Sequence, residues 1–326
     1  MALNSTWFRD KKVCVTGGSG FVGRHIVREL LKQNACVRIP LHVRVRPSFS
    51  DDSTIEYVSG DLAQKDDCSK AMRGAQFVFH AAGSVAGAKV TKENPIAGIV
   101  TNLVLTGRVL EAAAAEGVER FLLFSSSTGY PDIRHPVKED EFWSADPHAS
   151  YLGYGWMRRY FERLAEFIYA KTAMKIAVVR PSAVYGRHDN FDPATGHVVS
   201  GLIHKAVMKQ DPFEVWGTGN EARDFLHITD FASACCLMLE KKADCDPVNI
   251  GYGKALTIKQ CAETVLTAAG HSPKRILFDD SKPTVLPFRM MDVAKARVAL
   301  GFSPRMSFEE GILDTVNWYK KHLKIQ

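Results

Sequence analysis

The chain has 326 residues, 46% of them hydrophobic and 24% charged, which supplies a large apolar core and rules out wholesale disorder. Against 36 Asp and Glu stand 42 Lys and Arg, and the net charge of +6 suits a small anionic ligand held by a local cluster without calling for nucleic acid. The 7 cysteines form no CxxC pair and are odd in number, and no stretch approaches roughly 18 charge-free apolar residues, so a reduced cytoplasmic chain with no membrane span, no leader and no metal site is expected.

In chain order, an apolar run at 13–15 is followed by glycines at 17, 18, 20 and 23 and by helical spacing over 25–31, which predicts strand, tight turn and helix. Gly17, Gly20 and Gly23 let backbone N–H groups close on a pyrophosphate at a helix N-terminus, the pattern of a dinucleotide site. Strands are next predicted at 35–39 and 55–58. At the end of the first, an acid usually takes the adenosine ribose hydroxyls; here Arg38, Arg44 and Arg46 occupy the stretch and no acid does. NADP(H) is therefore expected over NAD, with Arg44 and Arg46 on the 2'-phosphate, the alternative being a solvated basic edge. Asp61 follows the second strand and either meets the adenine edge or caps a helix.

Further strands are predicted at 76–79, 121–124, 175–179 and 247–250, separated by helical patterns that include 101–116 and 153–171. The expected fold is α/β, a doubly wound and mostly parallel Rossmann sheet. The two long helices either meet in a homodimer seam or cover their own sheet, and periodicity leaves both open. Beyond Pro181, helices are predicted at 197–209, 230–240, 258–270 and 308–321. They imply a smaller interleaved C-terminal substrate domain: residues 1–185 with about 223–252 form the Rossmann part, and about 186–222 with 253–326 the second.

Several pieces then occur in one familiar order: residues 16–23, Gly60-Asp61-Leu62, Phe79-His80-Ala81-Ala82-Gly83, Ser125-Ser126-Ser127, Tyr154 with Glu162, and the Arg-Pro-Ser-Ala-Val-Tyr-Gly run of 180–186. Asp189-Asn190-Phe191, His197-Val198, Val215-Trp216-Gly217-Thr218-Gly219 and Arg223-Asp224-Phe225-Leu226-His227 continue it. Nearly end to end the chain resembles the extended short-chain dehydrogenase/reductases, above all the nucleotide-sugar enzymes related to GDP-fucose synthase. The resemblance implies cofactor contacts from Phe21, Val22, Leu62, Ala81, Ala82, Gly83 and Pro181, with Tyr154 and Arg158. It implies contacts to a nucleotide diphosphate sugar from Ser127, Asn190, His197, Val198, Lys205, Trp216 and Arg223, basic groups on the pyrophosphate and Trp216 in an apolar or stacking contact.

The resemblance places the chemistry on Tyr154, which exchanges a proton with a sugar carbonyl as hydride moves, and on Ser126, which polarises the carbonyl oxygen. The family's lysine four residues beyond the tyrosine is here Arg158, on the same helix face, where a permanent charge can hold nicotinamide ribose and favour tyrosinate. Where fucose synthases use a cysteine and a later histidine for proton exchange beside the ketone, this chain has Thr128 and His197. A threonine hydroxyl is a poor acid or base near neutrality, so full 3,5-epimerisation is not expected. Dehydratases carry Thr-Asp-Glu where this chain has Thr128-Gly129-Tyr130, which sets dehydration aside. The expectation is an NADPH-dependent 4-ketoreductase of a GDP-linked 4-keto-6-deoxysugar. The alternatives are a nucleotide-sugar 4-epimerase and a noncatalytic dinucleotide-binding partner protein.

Overall fold

The computed structural model describes residues 6–42, 49, 54–84, 94, 96, 98–192, 195–282, 284 and 286–324. The first half runs β1 (Lys12–Thr16), α1 (Phe21–Leu31), β2 (Cys36–Leu41), β3 (Ile55–Ser59), α2 (Lys65–Met72), β4 (Phe77–His80), α3 (Ile99–Ala115), β5 (Arg120–Phe124), α4 (Leu152–Lys171) and β6 (Lys175–Pro181). Then follow β7 (Ala183–Tyr185), α5 (Val198–Val207), β8 (Phe213–Trp216), β9 (Ala222–His227), α6 (Ile228–Lys241), β10 (Val248–Ile250), β11 (Ala255–Thr257), α7 (Ile258–Ala269), β12 (Ile276–Asp279), β13 (Phe288–Arg289), α8 (Ala294–Leu300) and α9 (Phe308–His322).

Seven parallel strands form the central sheet in the order β10-β6-β5-β4-β1-β2-β3. Val13 of β1 lies opposite both Val37 of β2 and Phe77 of β4, and the order reverses between β1 and β4. In a doubly wound sheet the crevice above the carboxyl ends at such a reversal is where ligands sit. The pleat divides β1 between two cores: Val13 and Val15 join Ile26, Leu30 and the apolar side of α6, while Cys14 joins Met72, Leu110 and Phe161 on the other face. The expected doubly wound α/β sheet is therefore the observed one.

A third core, with Leu202, Ile203, Phe213, Val265 and Ile312, gathers α5, α7 and α9 around the short strands. There β9 pairs with β7, β11 and β13, and β8 with β12. The chain leaves this small sheet at His227, and α6 packs back on α1.

The buried faces of α3 and α4 cover the central sheet with Val109, Leu110, Met157 and Phe161, and the two helices pack side by side. A buried ion pair locks α4 to β6: Arg180 Nε and Nη2 donate to the two carboxylate oxygens of Glu162 at 2.9 and 2.7 Å. Arg180 Nη1 also donates to Tyr130 Oη and to the Glu139 carbonyl, and Tyr130 donates to Asn249 Oδ1 in β10 at 2.6 Å. Among the described residues no helix is long and apolar enough to cross a membrane, and no group of three or more His, Cys, Asp or Glu is disposed to hold a metal.

Candidate active site

The turn after β1 is shaped by what lies against it. Gly17 has φ +66°, and a Cβ there would stand 2.6 Å from the Ala81 carbonyl oxygen and 2.7 Å from Ala82 N, so only glycine lets the turn meet the end of β4. Gly20 begins α1 without a side-chain cap, leaving the first N–H groups, those of Phe21, Val22 and Gly23, to an anion. Beneath the turn, the Ala82 N–H donates to Thr16 Oγ1 at 3.2 Å, and Thr16 Oγ1 pairs with His80 Nδ1 at 2.8 Å. Burial drives the His80 pKa down to about 3, so the imidazole is neutral and shares its other nitrogen with Thr106 Oγ1 at 3.2 Å. Past Gly83, the Asn102 side chain brackets the Ser84 backbone with bonds of 2.8 Å to its N–H and its carbonyl. These contacts tie the glycine turn to the end of β4 and to α3.

Arg44 and Arg46 lie outside the described residues. Asp61 accepts the Ala63 N–H at 2.9 Å and so closes its own turn, while α2 begins later, after Gln64. Its Oδ2 is 4.0 Å from Nε2 of His42, which follows β2. Leu62 is buried, and Pro181 ends β6 half-buried.

At the carboxyl end of β5, Ser126 caps a single 3₁₀ turn (Ser127–Gly129). Its Oγ accepts the Thr128 N–H at 3.2 Å and lies 2.9 Å from Thr128 Oγ1. This turn packs on the first turn of α4 because residue 155 is glycine: a Cβ there would stand 2.7 Å from the Thr128 carbonyl oxygen. The contact sets Tyr154 beside the serine turn. One helical turn on, Arg158 donates from Nη2 to Tyr154 Oη and from Nη1 to the Phe124 carbonyl at 3.0 Å, its guanidinium 4.9 Å from the tyrosine ring. Arg158 Nε is buried and has no partner among the described residues. Next to it, buried Arg159 donates to the carbonyls of Gly129, Phe142 and Ala145, stapling the segment after the serine turn to α4. Ser126, Thr128, Tyr154 and Arg158 thus form one cluster.

The remaining sequence-predicted positions lie on the C-terminal elements. His197 caps α5, about half exposed, with Nδ1 3.9 Å from Oδ1 of buried Asp189, which raises its pKa and favours the imidazolium. Val198 is exposed at the start of α5. Asn190 spends its amide within its own loop, donating to Thr195 Oγ1 at 2.9 Å and accepting from Asp192 N–H at 3.1 Å. Lys205 Nζ and Trp216 Nε1 both donate to Glu214 Oε2, at 3.1 and 3.2 Å, so one carboxylate holds the two together.

Arg223 stands opposite Arg289 in the β9–β13 register, a neighbour that sequence reading missed. Burial lowers the pKa of both, Arg289 to about 10, and Arg289 Nε and Nη1 are buried without a partner among the described residues. Tyr151 lies near both guanidiniums, its pKa raised by burial. Arg223 donates from Nη1 and Nη2 to the Ala222 and Leu286 carbonyls, so of the two adjacent cations it is Arg289 that has buried donors unspent among the described residues. No strand is predicted at Arg289, because the two residues of β13 carry no periodic signal.

A doubly wound sheet with a glycine cradle after β1 and a serine, a tyrosine and a cation at the end of β5 defines a dinucleotide-dependent enzyme of the short-chain dehydrogenase/reductase type. The profile of the NAD dependent epimerase/dehydratase family matches residues 13–251, and the chain belongs to that family. GDP-L-fucose synthase 1 of Arabidopsis thaliana is 29% identical over 97% of this chain and 95% of its own length. The dTDP-4-dehydro-6-deoxy-D-allose reductase of Streptomyces bikiniensis is 26% identical over 96% and 98%. Among solved structures, the UDP-glucose 4-epimerase of Thermotoga maritima with UDP-glucose has the same fold, with a TM-score of 0.85 at 24% identity over 96% of this chain and 99% of its own.

Proposed function

We propose that the chain is an NADPH-dependent reductase of a nucleotide-linked 4-keto-6-deoxysugar, with GDP as the nucleotide. The observation that carries this reading is the Ser126, Tyr154 and Arg158 cluster at the end of β5, in a chain whose relatives include a GDP-L-fucose synthase and a 4-dehydro-6-deoxysugar reductase. Gly17 and Gly20 shape the turn, the Gly20 N–H donating to the Gly17 carbonyl at 2.8 Å, and the N–H groups of Phe21, Val22 and Gly23 hold the cofactor's pyrophosphate; Leu62, Asp61, Ala81, Ala82, Gly83 and Pro181 line its path, and Arg44 and Arg46 take the 2'-phosphate. Bound NADPH supplies the hydride to C4. Tyr154 gives its proton to the ketone oxygen, and the Arg158 guanidinium, which donates to its phenol oxygen, stabilises the tyrosinate left behind. Arg223 and Arg289 grip the sugar's diphosphate, with Ser127, Asn190, Val198, Lys205 and Trp216 around the nucleotide and sugar. His197 is one proton-transfer group, and Thr128 offers no second, so exchange at both C3 and C5 is not part of the reaction.

The test is NADPH oxidation against a panel of GDP-, UDP-, CDP- and dTDP-linked 4-keto-6-deoxysugars, run in deuterated water. Net oxidation with the GDP sugar, a C4 alcohol and no efficient deuterium uptake at both C3 and C5 are expected. Removing Arg44 or Arg46 should cost about tenfold in kcat/KM for NADPH and little for NADH. Redox-neutral turnover, equal use of NADPH and NADH, or rapid exchange at both carbons would overturn the reading.

We also propose a homodimer through α3 and α4, whose outer faces expose Val100, Val104, Trp156, Tyr160 and Phe167, five apolar side chains each 41–67% exposed. Val104→Asp with Tyr160→Asp is expected to turn a dimer into a monomer in sedimentation, and a wild-type monomer at micromolar concentration would end the idea. We place the chain in the cytoplasm, where its free cysteines stay reduced.

A further inference from the structure

We propose that Thr128 is a positioning residue that commits the Ser126 proton to the substrate, so that Thr128, Ser126 and the ketone oxygen form one directed chain of hydrogen bonds. The inference rests on the ketone-reduction reading above and adds the device that sets the polarity of the serine.

Ser126 is extended, φ −160° and ψ 147°, and its Oγ faces back into the turn that it caps. A serine hydroxyl has one proton and two lone pairs. One lone pair is taken by the Thr128 N–H at 3.2 Å, a group that can only donate. The other faces Thr128 Oγ1 at 2.9 Å, and that hydroxyl has no other protein partner among the described residues.

Two hydroxyls facing each other have two possible orders, and a ketone decides between them, because its oxygen only accepts. When Ser126 donates to the ketone, Thr128 must donate to Ser126; the reverse order would turn a bare lone pair toward the substrate. An O–H whose oxygen already accepts two hydrogen bonds is a stronger donor, and the chain gains strength as negative charge gathers on the substrate oxygen. No proton travels along it: Tyr154 supplies the proton that ends on the alcohol, and Ser126 and Thr128 keep theirs. The β-branch of threonine adds stiffness, since its methyl group narrows the choice of χ1 and holds Oγ1 on the serine.

The experiment compares full-length wild type, Thr128→Val, Thr128→Ser, Ser126→Ala and the double variant Ser126→Ala/Thr128→Val. It reads kcat and KM for the keto sugar, and the carbonyl stretch of an isotope-labelled keto sugar bound with NADP⁺, in which hydride transfer cannot occur. Wild type should lower the stretching frequency, Ser126→Ala should abolish most of that shift, and Thr128→Val should lose part of it. With Thr128→Val, kcat should fall about tenfold with KM nearly unchanged, while Thr128→Ser should recover to within about threefold of wild type. In the Ser126→Ala background, Thr128→Val should add nothing, because the hydroxyl it acts through is gone.

A Thr128→Val enzyme with wild-type kcat and carbonyl shift, or an equal further loss in the double variant, would overturn the inference and leave the reductase reading intact. A wild-type enzyme that neither shifts the carbonyl band nor turns over any keto sugar would overturn both.

Discussion

Tyr154→Phe is expected to lower kcat by about a thousandfold, the range of a lost acid in proton transfer, while NADPH still binds. The ring can stay where it is, because Gly155 and the serine turn hold this end of α4 through contacts that do not involve the phenol oxygen. What the variant removes is the phenol oxygen to which Arg158 donates from Nη2, while the Nη1 bond to the Phe124 carbonyl survives. The guanidinium therefore stays anchored with nothing to act on. Steady-state turnover of the keto sugar together with fluorescence titration of NADPH separates the two effects. Near-wild-type kcat in Tyr154→Phe would show that the proton comes from elsewhere, and a matching loss of NADPH affinity would show that the residue binds and does not react.

The second large effect is on stability. Glu162→Leu is expected to cost about 3–5 kcal/mol, because it strands a guanidinium in the interior. Both partners are at most 2% exposed, and Arg180 would keep only the neutral oxygens of Tyr130 and the Glu139 carbonyl. The double variant Glu162→Leu/Arg180→Met removes both charges and should recover much of the loss, since a buried pair exchanged for apolar side chains of similar volume is often near neutral. Urea titrations of the single and double variants measure this directly. A single variant within about 1 kcal/mol of wild type would mean that water reaches Arg180.

Periodicity located the elements that are long or buried on both sides. The uniformly buried β4 reads as an apolar run, and α3 and α4 carry helical spacing over several turns. It did not yield α2, eight mostly polar residues beginning Lys-Asp-Asp, the seven-residue α8, the four- to six-residue β8, β9 and β12, or β7, β11 and β13, which have two or three residues each. Strands that short exist because of what they pair with, and their partners are far away in sequence. The same physics divides the site. Tyr154 and Arg158 were legible as an i,i+4 pair on one helix, and their meeting with β5 follows from parallel topology. Arg289 was not, because its place beside Arg223 depends on the register of a two-residue strand. Glu214, which holds Lys205 and Trp216, and Asn102, which brackets Ser84, are single polar residues whose partners become visible only in three dimensions.

Arg158 also bears on the chemical inertness of the proposed reaction centre. Acetyl donors, pyridoxal phosphate and other reagents that form adducts with primary amines find no such nitrogen bonded to the Tyr154 phenol, only a delocalised and poorly nucleophilic one. An inhibitory route by acylation, open to an enzyme with an ammonium group at this place, is expected to be closed here.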